Sequence, residues 1–169
     1  NLSPFWANAL LFATLPNLLL LILVTVVTTA SIPIPHMEFM LPYLQSEFSP
    51  FQLVGLVLSV GLLIGGVGTS VAHECSHRRS GNPLIAVGNW LMALSMDSVF
   101  PIEHNHGHHK HVGTLQDAAT ARRGENVYKF IFRSTFGEYT NAWQIERNRL
   151  SKRQTSLISY KNRYFRAIA

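Results

Sequence analysis

The chain has 169 residues, 47% of them apolar, with 14 Lys and Arg against 9 Asp and Glu and a formal net charge of +5. One cysteine excludes an internal disulfide and any cysteine-based zinc cluster, and leaves Cys75 as a small packing residue. The charge is uneven and weighs against an ordinary soluble domain: residues 1–77 contain no Lys or Arg, and all 14 basic residues lie from Arg78 onward.

Residues 5–29 carry no charge and exceed the ~20 residues that a helix needs to cross a hydrocarbon core. Pro16 is a candidate kink in this first span. Residues 30–49 form a Pro-rich loop with His36, Glu38 and Glu47 and no cation. His36 reads as structural or exposed. Residues 50–72 are a second uncharged span, in which Gly61, Gly65 and Gly66 would allow close helix packing. By the positive-inside rule the loop is external and everything after His77 is cytoplasmic, so the two spans form a hairpin. A signal peptide fits badly, because there is no basic n-region and the apolar run is too long.

Residues 73–79 read HECSHRR. His73 and His77 are four apart, so a helix places them on one face, where two imidazoles can hold one metal. H-E-x-x-H is also the zinc metalloprotease signature, with Glu74 as general base.

Residues 84–102 are a third apolar stretch, interrupted by Asn89, Asp97 and Pro101. Were it to cross the membrane, the histidines on its two sides would lie about 30 Å apart and could not share a site. A central Asp costs a few kcal/mol in lipid, which favours an interfacial or re-entrant helix that returns the chain to the cytoplasmic face. Asp97 is then either a carboxylate behind metal ligands or a water-facing residue at a helix break.

Residues 103–113 read EHNHGHHKHVG. His104 and His108 repeat the spacing of four, and His109 lies about 140° around from His104 on an ideal helix. Adjacent His108 and His109 point to different places and suit two metals side by side. His106 and His111 fall outside the register and read as bystanders. With His73 and His77 there are five well-placed imidazoles. That is too many for one zinc, and imidazole alone does not choose between Zn, Cu, Fe and Ni.

These boxes resemble the membrane-bound non-haem diiron oxygenases, specifically the alkane 1-monooxygenases and their xylene monooxygenase relatives. The resembling stretches are HECSHRR (73–79), IEHNHGHHKHVGTLQDAATARRGENVYKF (102–130) and, more loosely, RSTFGEYTNAWQIERNRL (133–150). Val112, Thr114, Asp117, Ala119, Arg122, Gly124 and Glu125 fit the string that follows the family's second box. Leu115 and Ala118 stand where Pro is frequent in alkane hydroxylases.

The resemblance implies an all-α integral membrane bundle: a transmembrane hairpin, an interfacial helix and a histidine-box region over 73–125. It implies O₂-dependent hydroxylation of a terminal alkane or aryl methyl carbon at two Fe ions. His73, His77, His104, His108 and His109 would be the ligands, with Glu74, Asp97, Glu103, Asp117, Arg122 and Glu125 as candidates behind them. Further implied are electrons from rubredoxin or a similar protein, a hydrophobic substrate drawn from lipid, no nucleic-acid partner, and a bacterial inner membrane location. The family's later histidine box is not in these 169 residues, so the chain is expected to be a piece of a longer protein.

Residues 126–169 are basic, with Leu157, Tyr160, Tyr164 and Ile168 at helical spacing. With Arg147, Arg149, Lys152, Arg153, Arg163 and Arg166 they read as an amphipathic helix on the cytoplasmic membrane surface. Its basic face could dock an acidic electron donor or serve anionic lipid. A fatty acid desaturase or hydroxylase, a membrane zinc metalloprotease and a metal transporter remain the alternatives.

Overall fold

The computed structural model describes residues 4–30 and 48–169. The loop reading, with His36, Glu38 and Glu47, lies outside the described residues. Every regular element among the described residues is helical.

Helix α1, Pro4–Ala30, runs through Pro16 without ending. Helix α2, Pro50–Ser76, starts on a capping box in which Ser49 and Gln52 bond each other's backbone N–H, with Pro50 in the first turn. Both helices are long and apolar enough to cross a membrane, and only 11% of each hydropathic window is buried against protein. Phe5, Trp6, Leu20, Phe51, Val57 and Leu62 are all exposed, which suits lipid and not the core of a soluble globule.

Close approach of the two spans falls at a glycine other than those expected. Around Gly61, Gly65 and Gly66 there is open space, whereas a Cβ on Gly68 would stand 3.2 Å from Leu18 Cδ1. The cause is a π-helical turn at Ile64–Gly68, which adds a residue to the turn and rotates Gly68 towards α1.

The single helix expected over 84–102 is two elements. Helix α3 is Leu84–Leu94, which at about 1.5 Å per residue is too short to span a bilayer. It ends where Met96 adopts a left-handed φ of 62° and Asp97 N–H reaches back to the Met92 carbonyl at 2.9 Å. Helix α4 (100–111) then begins at Phe100 with Pro101 in its first turn. Helix α3 lies against the end of α2 with almost no gap: a Cβ on Gly88 would stand 2.7 Å from Cys75 Cβ. Cys75 is fully buried and free there.

Helix α5, Val127–Lys152, and the short α6, Arg163–Ile168, pack on α4 through Val99, Ile102, Ala142, Ile145 and Tyr164. The continuous amphipathic helix expected over 126–169 is therefore broken, and Leu157 and Tyr160 sit in the connecting turns. Its basic face is also smaller than expected. Glu146 is fully buried and accepts from Arg149 Nε at 2.7 Å and from Arg163 N–H and Nε at 2.7 and 2.9 Å. Arg149 and Arg163 thus tie α5 to α6, and Arg147, Lys152, Arg153 and Arg166 remain exposed.

Candidate metal centre

The last turn of α2 carries His73, and His77 caps it. Helix α4 approaches from the other side, held by Asn105, whose amide donates to the Ser76 carbonyl at 3.2 Å and to the Pro101 carbonyl at 3.1 Å. The two histidine boxes therefore meet, and the apolar stretch between them does not separate them across a membrane.

His77 Nε2 lies 3.3 Å from His73 Nε2 and 3.3 Å from His104 Nε2, which lies 2.9 Å from His109 Nε2. Donor nitrogens about 2.1 Å from a shared ion stand roughly 3.0–3.4 Å apart for right-angled to tetrahedral geometry. His73, His77 and His104 each offer a nitrogen within 4.8 Å of the others, the spacing of ligands around one ion, and His109 joins them through His104. His104 is buried and stacks on Phe100 at 4.4 Å between ring centres. Burial, and then the neighbouring imidazoles, lower the His104 pKa to about 4, and the same causes lower that of His77. Neutral imidazole is the form that ligates metal.

His104 and His109 do not diverge by the ~140° of an ideal helix. A second π-helical turn, His104–His108, brings residue i+5 beneath residue i and folds His109 back onto His104. Gly107 inside this turn has no room for a side chain: a Cβ would stand 2.5 Å from Glu103 Oε1 and 3.2 Å from Ile145 Cδ1. Glu103 is buried beneath the cluster and accepts from Asn141 Nδ2 of α5 at 3.4 Å; burial raises its carboxyl pKa.

His108 turns away from His109, the two rings crossing at 72°. Its Nδ1 lies 3.1 and 3.0 Å from the two oxygens of Asp117. Asp117 is buried and also accepts from Ala119 N–H at 2.9 Å and from the Thr120 hydroxyl. Burial alone would raise the Asp117 carboxyl; the Thr120, His108 and Ala119 donors outweigh it and hold it below its usual range. A carboxylate on Nδ1 fixes the proton there and leaves Nε2 free to ligate.

The loop that carries Asp117 is held to α5 by Arg133. That guanidinium donates to Glu125 twice at 2.7 Å, to the Ala118 carbonyl at 3.1 Å and to the Thr120 carbonyl at 3.0 Å. The Arg133 bonds come first among the causes that lower the Glu125 pKa to about 2. Asp117→Asn is expected to weaken metal binding about 10- to 100-fold. Metal titration of the full-length protein checks this, and unchanged affinity would mean that the carboxylate does not set the His108 tautomer.

The other sequence candidates lie apart. Glu74 is exposed and pairs with Arg78 at 2.9 Å. Arg122 contributes its backbone, its N–H donating to the Glu125 carboxylate at 3.0 Å and its carbonyl accepting from the Glu125 N–H at 2.9 Å. His106 faces outward, 3.5 Å from Arg163 Nη1, and His111 contributes its carbonyl to Thr114. Asp97 lines a cleft of about 370 Å³ with Thr69, Ser70, His73, Met92 and Phe100. Sequence reasoning missed Asn105, Arg133, Asn141 and Glu138; Asn105 carried a signal in its place inside the E-H-N box, and the other three only in the looser resemblance of 133–150. Burial, and then the Asp97, Glu103 and Asp117 carboxyls, push the Glu138 pKa up to about 8.

Residues 49–169 match the family model described as fatty acid desaturase. An alkane 1-monooxygenase of Pseudomonas putida is 39% identical over 120 residues, which cover 69% of this chain and 28% of that protein. Alkane 1-monooxygenase 1 of Pseudomonas aeruginosa is 38% identical over 109 residues, 64% of this chain and 28% of its own length. The xylene/toluene monooxygenase hydroxylase component of Pseudomonas putida is 30% identical over 120 residues, 71% of this chain and 32% of its own. The chain thus spans about three tenths of the length of these relatives.

Proposed function

The chain belongs to the fatty acid desaturase family, and from that premise we propose that the protein of which it is part hydroxylates a hydrophobic hydrocarbon with O₂ at a histidine-held diiron centre. The observation that carries this reading is the convergence of His73, His77, His104 and His109, their Nε2 atoms 2.9–3.3 Å apart in series. The similarity to proteins named as alkane and xylene/toluene monooxygenases supports a terminal alkane or aryl methyl carbon as the target.

In this reading His73, His77, His104, His108 and His109 hold the irons, together with ligands elsewhere in the whole protein. The irons would supply O₂ activation and cleavage of the unactivated C–H bond. The chain's own residues arrange the ligands: Asp117 keeps the proton on His108 Nδ1, Asn105 clamps α4 to the end of α2, and Phe100 stacks on the ring face of the buried His104. The apolar faces of α1 and α2 lead a lipid-soluble substrate towards the histidines, which sit on the cytoplasmic side of a bacterial inner membrane. Electrons arrive from that side through rubredoxin or a similar donor, for which Arg147, Lys152, Arg153 and Arg166 offer exposed cations. The family description supports acyl-chain desaturation or hydroxylation as the second reading.

The test is to purify the full-length protein in lipid, count its metals, and supply an n-alkane, p-xylene or an acyl lipid with ¹⁸O₂ and a rubredoxin reducing system. Two irons per chain and label in a hydrocarbon alcohol are expected. One zinc with no iron would sink the reading, and turnover of the acyl lipid alone would select the second.

A further inference from the structure

Between α5, α6 and the turns that join them lies a cleft of about 410 Å³. Arg149, Arg153, Lys161, Arg163 and Arg166 line it with Tyr160, and no Asp or Glu does. Like charges gathered this way repel one another, so two of them are held in place from behind. Glu146, fully buried, accepts from Arg149 Nε at 2.7 Å and from Arg163 Nε at 2.9 Å. Arg149 Nη2 donates to Glu146 as well and, at 2.7 Å, to the Lys161 carbonyl, which leaves Nη1 without an acceptor among the described residues. Both guanidiniums are therefore oriented before any ligand arrives. Arg153, Lys161 and Arg166 are exposed and form no ion pair with a described carboxylate. One buried carboxylate stands against five cations, so the cleft favours an anion from outside.

Its size is within the range of small-molecule sites, and the guanidinium fork suits the oxygens of phosphate. The surroundings indicate which kind of phosphate. Ile158 is 88% exposed and Tyr160 80%, in the turns that lead to Lys161, and Phe165 beside Arg166 is 42% exposed. A hydrated anion gains nothing from such side chains, whereas an amphiphile lays its apolar part against them. Arg163 Nη1 also lies 3.5 Å from His106 Nε2 of α4, and Asn105 clamps α4 to the end of α2. The cleft is thereby tied to the end of a helix long and apolar enough to cross a membrane. We propose that it binds the phosphate group of an anionic phospholipid in the leaflet where α2 ends. The site does not depend on the oxygenase reading. Arg153 and Arg166 are also among the cations offered to an electron donor, whereas Arg147 and Lys152 do not line the cleft, so the two uses are separable.

The experiment measures binding without turnover, by calorimetric titration of the full-length protein in neutral detergent, with empty micelles as the blank for partitioning. The probes are dihexanoyl phosphatidylglycerol, dihexanoyl phosphatidylcholine and inorganic phosphate. The parent protein is expected to prefer the glycerol lipid to the choline lipid roughly tenfold or more, the effect of hydrogen bonds between charged groups. Arg153→Gln with Arg166→Gln abolishes the preference. Arg147→Gln with Lys152→Gln removes equal charge outside the cleft and keeps the preference within about twofold, as for diffuse surface charge. Lys161→Gln, a single exposed change, decides if the cleft pair does not fold. No preference in the parent overturns the proposal, and so does an equal loss in both pairs. Inorganic phosphate that binds as tightly as the glycerol lipid leaves a phosphate site and overturns its lipid source. A cleft pair that loses rubredoxin binding and keeps the lipid preference overturns the proposal in favour of a protein partner. Failure of the oxygenase reading would show separately, as missing iron or missing turnover with the lipid preference intact.

Discussion

On the proposed oxygenase reading, replacing His104 with alanine is expected to empty the centre of iron and to lower hydroxylation by the full-length protein about a thousandfold or more, beyond the ~10- to 100-fold typical of residues behind the ligands. His104 is the hub of the cluster. Its Nε2 is within 3.3 Å of His77 and 2.9 Å of His109, so its loss breaks the link between the two boxes. It is also the buried histidine of the set, stacked on Phe100 at 4.4 Å and on His108 at 5.3 Å between ring centres. The π turn and the tight fit of Gly107 against Glu103 fix the backbone that presents it. His106→Ala and His111→Ala are expected to keep the parental iron content, since neither reaches the cluster. Iron per folded chain and labelled product together decide the matter. A His104→Ala protein that retains both irons would remove the histidine cluster as the metal site.

Glu146→Ala is expected to cost about 3–5 kcal/mol of stability, the usual effect of removing one partner from a buried ion pair. The loss strands the Arg149 guanidinium and both the backbone N–H and Nε of Arg163. Burial would raise the Glu146 carboxyl; the Arg149 and Arg163 donors outweigh this and hold it at about 2, against an ordinary value of 4.5. A carboxylate depressed on folding stabilises fully above its unfolded pKa, and that stabilisation fades as pH falls from about 4.5 towards 2. The difference between parent and variant in denaturant midpoint should therefore be constant from pH 5 upward and shrink below it. Iron bound per folded chain should not change at neutral pH, because Glu146 anchors α6 to α5 and touches no histidine. A variant as stable as the parent would mean that the pair contributes only solvent-exposed attraction.

Much of this was legible in residue order. Uncharged runs long enough for a bilayer mark α1 and α2, and Asp97 and Pro101 mark the place where the third apolar stretch breaks. The spacing of His73 and His77 is enough to put both on one helix face, and the string around Asp117 and Glu125 carries the family resemblance. Two things misled. Helical periodicity over 126–169 treated Arg149 and Arg163 as free cations, because periodicity cannot see that a single Glu146 lies between two helices. An ideal 3.6-residue helix also separated His104 from His109, because a π turn leaves no mark in composition.

The sequence by itself determined the helical class, the two candidate spans and the two histidine boxes proposed as the metal site. Those properties depend on local spacing and transfer free energy, which each segment carries with it. Tertiary structure alone decided that the two boxes face each other. That needed α3 to turn back on α2 at the Gly88–Cys75 contact, Asn105 to bridge to Ser76, and Arg133 to pull the Asp117 loop under His108. Each of these is a contact between residues far apart in the chain, so it depends on shape and available space, which no local pattern encodes.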